Sequence, residues 1–177
     1  MERLDFKIDN LETNADGERL IIKGYASVFG NINSYGYTFD KGSFSKSIQK
    51  GSVKFLFNHN HDDVLGRIVV LREDDYGLYF EAQCNKDVQH AREVYSMVAN
   101  GDLTGASIGF VTVSEATIEG ILHKQDVDLW EISVVTFPAN ELAKVEANAK
   151  YAEMDCIFKA VNDLRFKINS LDKFFVN

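Results

Sequence analysis

The chain has 177 residues, a net charge of −8 and 45% hydrophobic residues, which suits one domain with a real core and room for a short appendage. That hydrophobic share excludes a disordered chain, and the acidic balance argues against a nucleic-acid partner, because phosphate binding needs clustered Lys and Arg. No apolar run approaches the ~20 residues of a membrane helix, and "MERLDFKIDN" is too charged for a signal peptide, so no membrane partner is expected.

Residues 19–29, "RLIIKGYASVF", read as a strand broken near Gly24, followed by a loop, "NINSYGY". "KGSFSKSIQK" places Phe44 and Ile48 four apart, as in a short helix. "SVKFLFNHN" and "GRIVVLRED" read as strands, and "DDYG" has turn chemistry that brings "LYFEAQCN" back as a hairpin partner. Residues 87–100 place Val88, Ala91, Val94, Tyr95 and Val98 on one helical face, with Gly101 where a C-terminal cap belongs. After "LTGASIGFVTV" come a turn near "IEG" and the strand-rich "HKQDVDLWEISVVTFPAN". Short strands with two interposed helices predict a mostly β domain over 1–150, a small antiparallel barrel or sandwich with helices around it.

Residues 151–177 read as a separate helical tail. Met154, Ile157, Val161, Leu164, Ile168, Leu171 and Phe175 follow a 3, 4, 3, 4, 3, 4 spacing, a heptad stripe. Such a stripe suits either an amphipathic helix lying on the domain or a contact with another subunit or a coiled-coil scaffold. Cys84 and Cys156 lie far apart without metal-type spacing and read as buried thiols in a reducing compartment.

"LTGASIGFVTV" is an unusual strand. Gly105, Ala106 and Gly109 crowd around Ser107, and glycine inside a strand marks a bulge or a close approach by another chain. A serine hydroxyl needs a base to become a nucleophile, and histidine is the usual one. Of the four histidines, His90 falls in the middle of a helix on or near its polar side and His123 near a turn, and both read as unremarkable. His59 and His61 share a strand face if "FNHN" is extended, and with Asp62 or Asp63 they offer three metal ligands, although no second ligand cluster follows. Glu131, on an alternating face with Leu129, Ser133 and Val135, is either the acid that orients a histidine or a solvated position on an edge strand.

"GYASVFG", "KGSF", "FNHNHDDVLGRI", "TGASIGF" and "EISVVTFPAN" occur in that order, and together they resemble the prohead proteases of tailed bacteriophages. The likeness spans residues 18–147. It implies an assemblin-like fold related to the herpesvirus capsid proteases, a small antiparallel β-barrel surrounded by helices. It implies a serine endopeptidase that cuts scaffold, or the scaffold-like segment of the capsid protein, inside the immature capsid in the host cytoplasm, and that also cuts itself. The family's histidine stands seven residues before a glycine, which selects His59 over His61 against Gly66. Its serine lies in Ser-Ile-Gly-Phe, which is Ser107, and its acid precedes Ser-x-Val-x-x-Pro-Ala-Asn, which is Glu131. Neither cofactor nor metal is required. A homo-oligomer is expected, Arg67 and Arg72 are possible oxyanion contributors, and the loop at 30–40 is a candidate assembly-controlled element. That loop departs from the family, with Asn33 and Tyr37 where acids are common. Two other readings remain: a catalytically silent assembly module of the same fold, and a small-ligand barrel whose polar lining includes Ser107 and Glu131 without mutual contact, which side chains placed far from His59 would favour.

Overall fold

The computed structural model describes residues 19–140 and 142–147. The 151–177 tail, its heptad stripe and Cys156 lie outside the described residues. In chain order the elements are β1 (Ile21–Val28), β2 (Tyr37–Phe39), α1 (Ser45–Lys50), β3 (Lys54–Phe57), β4 (Asn60–Glu73), β5 (Gly77–Cys84), α2 (Gln89–Ala99), β6 (Gly105–Ile118), β7 (Ile121–Val135) and β8 (Val145–Ala147). They form one sheet in the order β2-β7-β3-β4-β5-β1-β8, with β6 added on β7.

Two expectations about this sheet need correction. It is not wholly antiparallel, because β2 and β3 both run parallel to β7. Nor do its ladders close into a barrel. The two ends meet where Gly105 bridges Lys144, Ala106 N donates to Ala143 O at 3.2 Å and Val145 N donates to Thr104 O at 3.0 Å. Strands β2 and β8 were not legible in the sequence, since each is only 3 residues long. β1 runs unbroken through Gly24. There the missing side chain admits the crossing 143–145 segment: a Cβ would meet Lys144 O at 1.9 Å, and Tyr25 N donates to that oxygen at 3.0 Å.

The core fills the inner face with Ile22, Phe44, Phe55, Leu65, Phe80, Leu129, Ile132 and Val134, all essentially inaccessible. α2 buries Ala91, Val94, Tyr95 and Val98 as its spacing predicts, but Val88 is the exposed N-cap residue and not part of that face. Between its β2 and β3 partners, the edge of β7 is covered by the α1 region. Buried Ser47 donates to Val127 O at 2.9 Å and accepts from Leu129 N at 2.8 Å. These bonds satisfy backbone groups that a buried strand edge cannot leave unpaired. Among the described residues no helix is long and apolar enough to cross a membrane.

Candidate active site

The site begins at a turn. β3 ends at Phe57, which pairs with Asn60 at the start of β4, so Asn58 and His59 form the whole connection. Both have positive φ, 48° and 59°, as a tight hairpin of the twisted-strand type requires. Asn tolerates this conformation well, whereas His59 holds it at a cost of order 1 kcal/mol or more. The turn is lashed to the end of β7: Asn58 N donates to Val134 O at 3.0 Å, and Thr136 N donates to Asn58 Oδ1 at 3.3 Å. This corrects the reading of "SVKFLFNHN" as one strand. His59 is a turn residue and His61 an exposed residue of β4, so the shared strand face that a His-x-His metal site needs does not exist.

The second component is β7. Gly109 pairs with Glu131, but Phe110 pairs with Leu129, leaving Trp130 as the extra residue of a bulge. The alternation therefore changes phase. Leu129 faces the core, and so do Ile132 and Val134, while Glu131 and Ser133 face the opposite side. Placing Leu129 and Glu131 on one face was wrong for this reason. Glu131 is also not on an edge, since β6 flanks it on one side and β3 on the other, and it is only 4% exposed.

A buried carboxylate must be hydrogen-bonded or paired, and Glu131 uses both oxygens. Oε1 lies 2.6 Å from His59 Nδ1, and Oε2 accepts from Ser133 Oγ at 2.6 Å. The Ser133 hydroxyl in turn accepts from His59 N at 3.1 Å. An ionised carboxylate can only accept, which assigns the ring proton to Nδ1 and leaves Nε2 as the basic nitrogen. The bond to Glu131 holds the His59 pKa above the ordinary histidine value, against an opposing contribution from partial burial.

Ser107 enters through register. It stands opposite Ser133, two residues from the Gly109–Glu131 pair, so Ser107, Ser133 and Glu131 share one face of the sheet. Directly opposed Cβ atoms lie about 5 Å apart. Ser107 is 8% exposed and is not hydrogen-bonded to His59 among the described contacts. The small residues around it now have separate reasons. A side chain at Gly105 would meet Pro138 Cδ and Val135 O at 2.9 Å, Ala106 packs into the core, and Gly109 lies under the Glu131 carboxylate.

The remaining candidates lie elsewhere. Asp63 Oδ2 sits 3.1 Å from His90 Nε2, and Asp62 N is held by Asn60 Oδ1 at 3.1 Å. Among the described residues no His, Cys, Asp and Glu group of three or more is arranged to hold a metal ion. Arg67 donates to Gln83 at 3.2 Å and Arg72 stacks 3.9 Å over Tyr79 on β5, so neither is engaged with Ser107. His90 begins α2 rather than occupying its middle, and its ring meets Phe57 at 5.2 Å. His123 is a strand residue of β7 paired with Asp40 at 2.6 Å, not a turn residue. Sequence reasoning did not single out Ser133 or fix what Gly109 accommodates. The available signal was Gly-x-Glu geometry across a hairpin: a glycine and a serine on one strand opposing a glutamate and a serine on the next.

The family model described as caudovirus prohead serine protease matches residues 5–156. The chain is 33% identical over 171 residues to the prohead protease of Enterobacteria phage HK97, covering 93% of this chain and 76% of that protein. It is 33% identical over 114 residues to the prohead protease of Escherichia phage T5, covering 60% and 53% respectively. A capsid polyprotein of Pseudomonas phage PAJU2 is 27% identical over 144 residues, 76% of this chain but 21% of that one. In fold the chain is similar to the KSHV protease solved with a hexapeptide phosphonate inhibitor, with a TM-score of 0.54 and 10% identity over 74% of this chain and 65% of that one. With a family model spanning most of its length and a relative 33% identical over 93% of this chain and 76% of that protein, this chain belongs to the caudovirus prohead serine protease family.

Proposed function

We propose that this protein is a serine endopeptidase that cleaves scaffold, or the scaffold-like segment of the capsid protein, within the immature capsid, and that it also cleaves itself. Ser107 is the nucleophile, His59 the general base and Glu131 the orienting acid. The observation that carries this reading is the 2.6 Å contact between Glu131 and His59 Nδ1 on the face that Ser107 shares.

His59 Nε2 takes the Ser107 hydroxyl proton as Oγ attacks the scissile carbonyl. The imidazolium that forms is stabilised by Glu131 and returns the proton to the leaving amine. Water then attacks the acyl-enzyme with the same base, regenerating Ser107. Among the described contacts Ser107 and His59 are not hydrogen-bonded to each other, and catalytic contacts of this kind tighten in the complex with substrate. That feature also fits the second reading, a silent assembly module. The small-ligand barrel is disfavoured, because Glu131 is bound to His59 and not apart from it.

The test is co-expression with the cognate capsid and scaffold proteins. Wild type should process them, whereas Ser107→Ala, His59→Ala and Glu131→Ala should leave them intact. Processing by Ser107→Ala would overturn the assignment. Unprocessed substrate with wild type, in proheads that assemble normally, would favour the silent module.

A further inference from the structure

Resting on that reading, we propose that Ser133 is a positioning residue: its hydroxyl closes a hydrogen-bonded ring that holds the His59 turn and the Glu131 carboxylate in one arrangement. A serine hydroxyl has a single proton and two acceptor sites. Here the acceptor side takes the His59 backbone N–H at 3.1 Å, so the proton is directed to Glu131 Oε2 at 2.6 Å. The other carboxylate oxygen returns to His59 through Nδ1 at 2.6 Å. The circuit therefore starts and ends on His59, passing from its main chain through Ser133 and Glu131 to its own ring. The arm from His59 N–H through Ser133 to Glu131 runs head to tail, an arrangement in which each bond polarises the next, while the Nδ1–H bond converges on the same carboxylate from the other side; bonds to a charged acceptor are short and strong.

The ring addresses two weaknesses of the site. His59 is in the left-handed region at φ 59°, a conformation its neighbours must impose, and the bond from its N–H to Ser133 is one of the contacts that does so. A glutamate side chain has rotatable bonds, and one oxygen must be fixed for the other to stay on Nδ1. Lys54 is in register with Glu131 from β3 but is exposed, so no buried cation performs that task from the flanking strand. Ser133 itself is wholly buried, with its proton committed to a carboxylate. It is therefore unsuited to be the nucleophile, although its hydroxyl lies 3.1 Å from the His59 main-chain nitrogen.

Three readouts on Ser133→Ala test this: kcat and KM on a peptide spanning a mapped cleavage site, the downfield His59 Nδ1–H proton resonance, and the acid limb of kcat/KM. The variant should lose about 10- to 100-fold in kcat with KM nearly unchanged. The resonance should broaden or vanish, and the acid limb should move to lower pH as Glu131 releases the ring. Ser133→Thr should retain the resonance. Should the alanine variant fail to fold, Ser133→Cys keeps the shape with a weak donor and should show the same changes. An active wild type with an alanine or cysteine variant unchanged in kcat, resonance and pH limb would overturn the positioning role while leaving the triad intact. A wild type whose Ser107 is unreactive toward a phosphonate would instead sink the protease reading beneath it.

Discussion

Gly109→Ala adds one carbon beneath the Glu131 carboxylate, and it should disable the site. The added Cβ would lie 2.3 Å from Glu131 Oε1 and 3.0 Å from its Cδ and Cγ. Ordinary contact requires about 3.4 Å, so the carboxylate oxygen must retreat by about 1 Å. That displacement is comparable to the difference between the 2.6 Å bond to His59 and no bond at all. The Ser133 bond on the other oxygen limits how the carboxylate can turn away. Loss of an oriented general base should lower kcat by roughly 10²- to 10⁴-fold. Stability should fall far less. The alanine itself gains ~0.5–1 kcal/mol in a strand interior, offset by a weakened buried hydrogen bond worth ~1–3 kcal/mol. The assay is the rate of phosphonate labelling at Ser107, beside a thermal melt. A slow-labelling variant that melts within a few degrees of wild type agrees with the geometry. Wild-type labelling by a folded Gly109→Ala would refute the idea that this glycine makes room for Glu131.

Other consequences follow from the same contacts. With His59 as the general base, activity should rise with pH through a titration above the ordinary histidine value of about 6.5. Glu131→Gln should lower the plateau and move that limb to lower pH, and a kcat/KM profile with an unshifted limb would contradict the assigned cause. Because the folded-state pKa of His59 is raised, the pair stabilises the protein most below the unfolded histidine pKa, and this contribution is lost as pH rises through the folded value. Urea midpoints of wild type and Glu131→Gln should therefore differ more at acid than at alkaline pH. His61→Ala should keep full activity while His59→Ala loses it, since His61 is an exposed residue of β4. Burial pushes the Cys84 thiol up to about 12, so peptide mapping after alkylation should find Cys84 modified only once the protein is unfolded.

What could be read from the sequence depended on how local the physics was. The buried face of α2 follows from its 3.6-residue spacing, and the β6–β7 hairpin from a turn where Glu119 and Gly120 take positive φ. The His59 turn was hidden because Asn-His is not the usual Asn-Gly pair, and the strand-forming residues before it suggest that the strand simply continues. The bulge at Trp130 was hidden because hydrophobic residues lie on both sides of it, so a pattern of period two reads straight through the phase change. Glu131 looked like a solvated edge position because its burial comes from β6, β3 and the His59 turn, all distant in sequence. The resemblance to the phage family chose the three residues. The contact between His59 and Glu131, and the register that sets Ser107 beside Ser133, came only with the fold.

The most direct test of the central claim is to map a phosphonate adduct on assembled protein. Wild type should carry one equivalent on the Ser107 peptide, and His59→Ala and Ser107→Ala should carry none. An adduct on Ser133, or equal labelling of His59→Ala, would contradict the account.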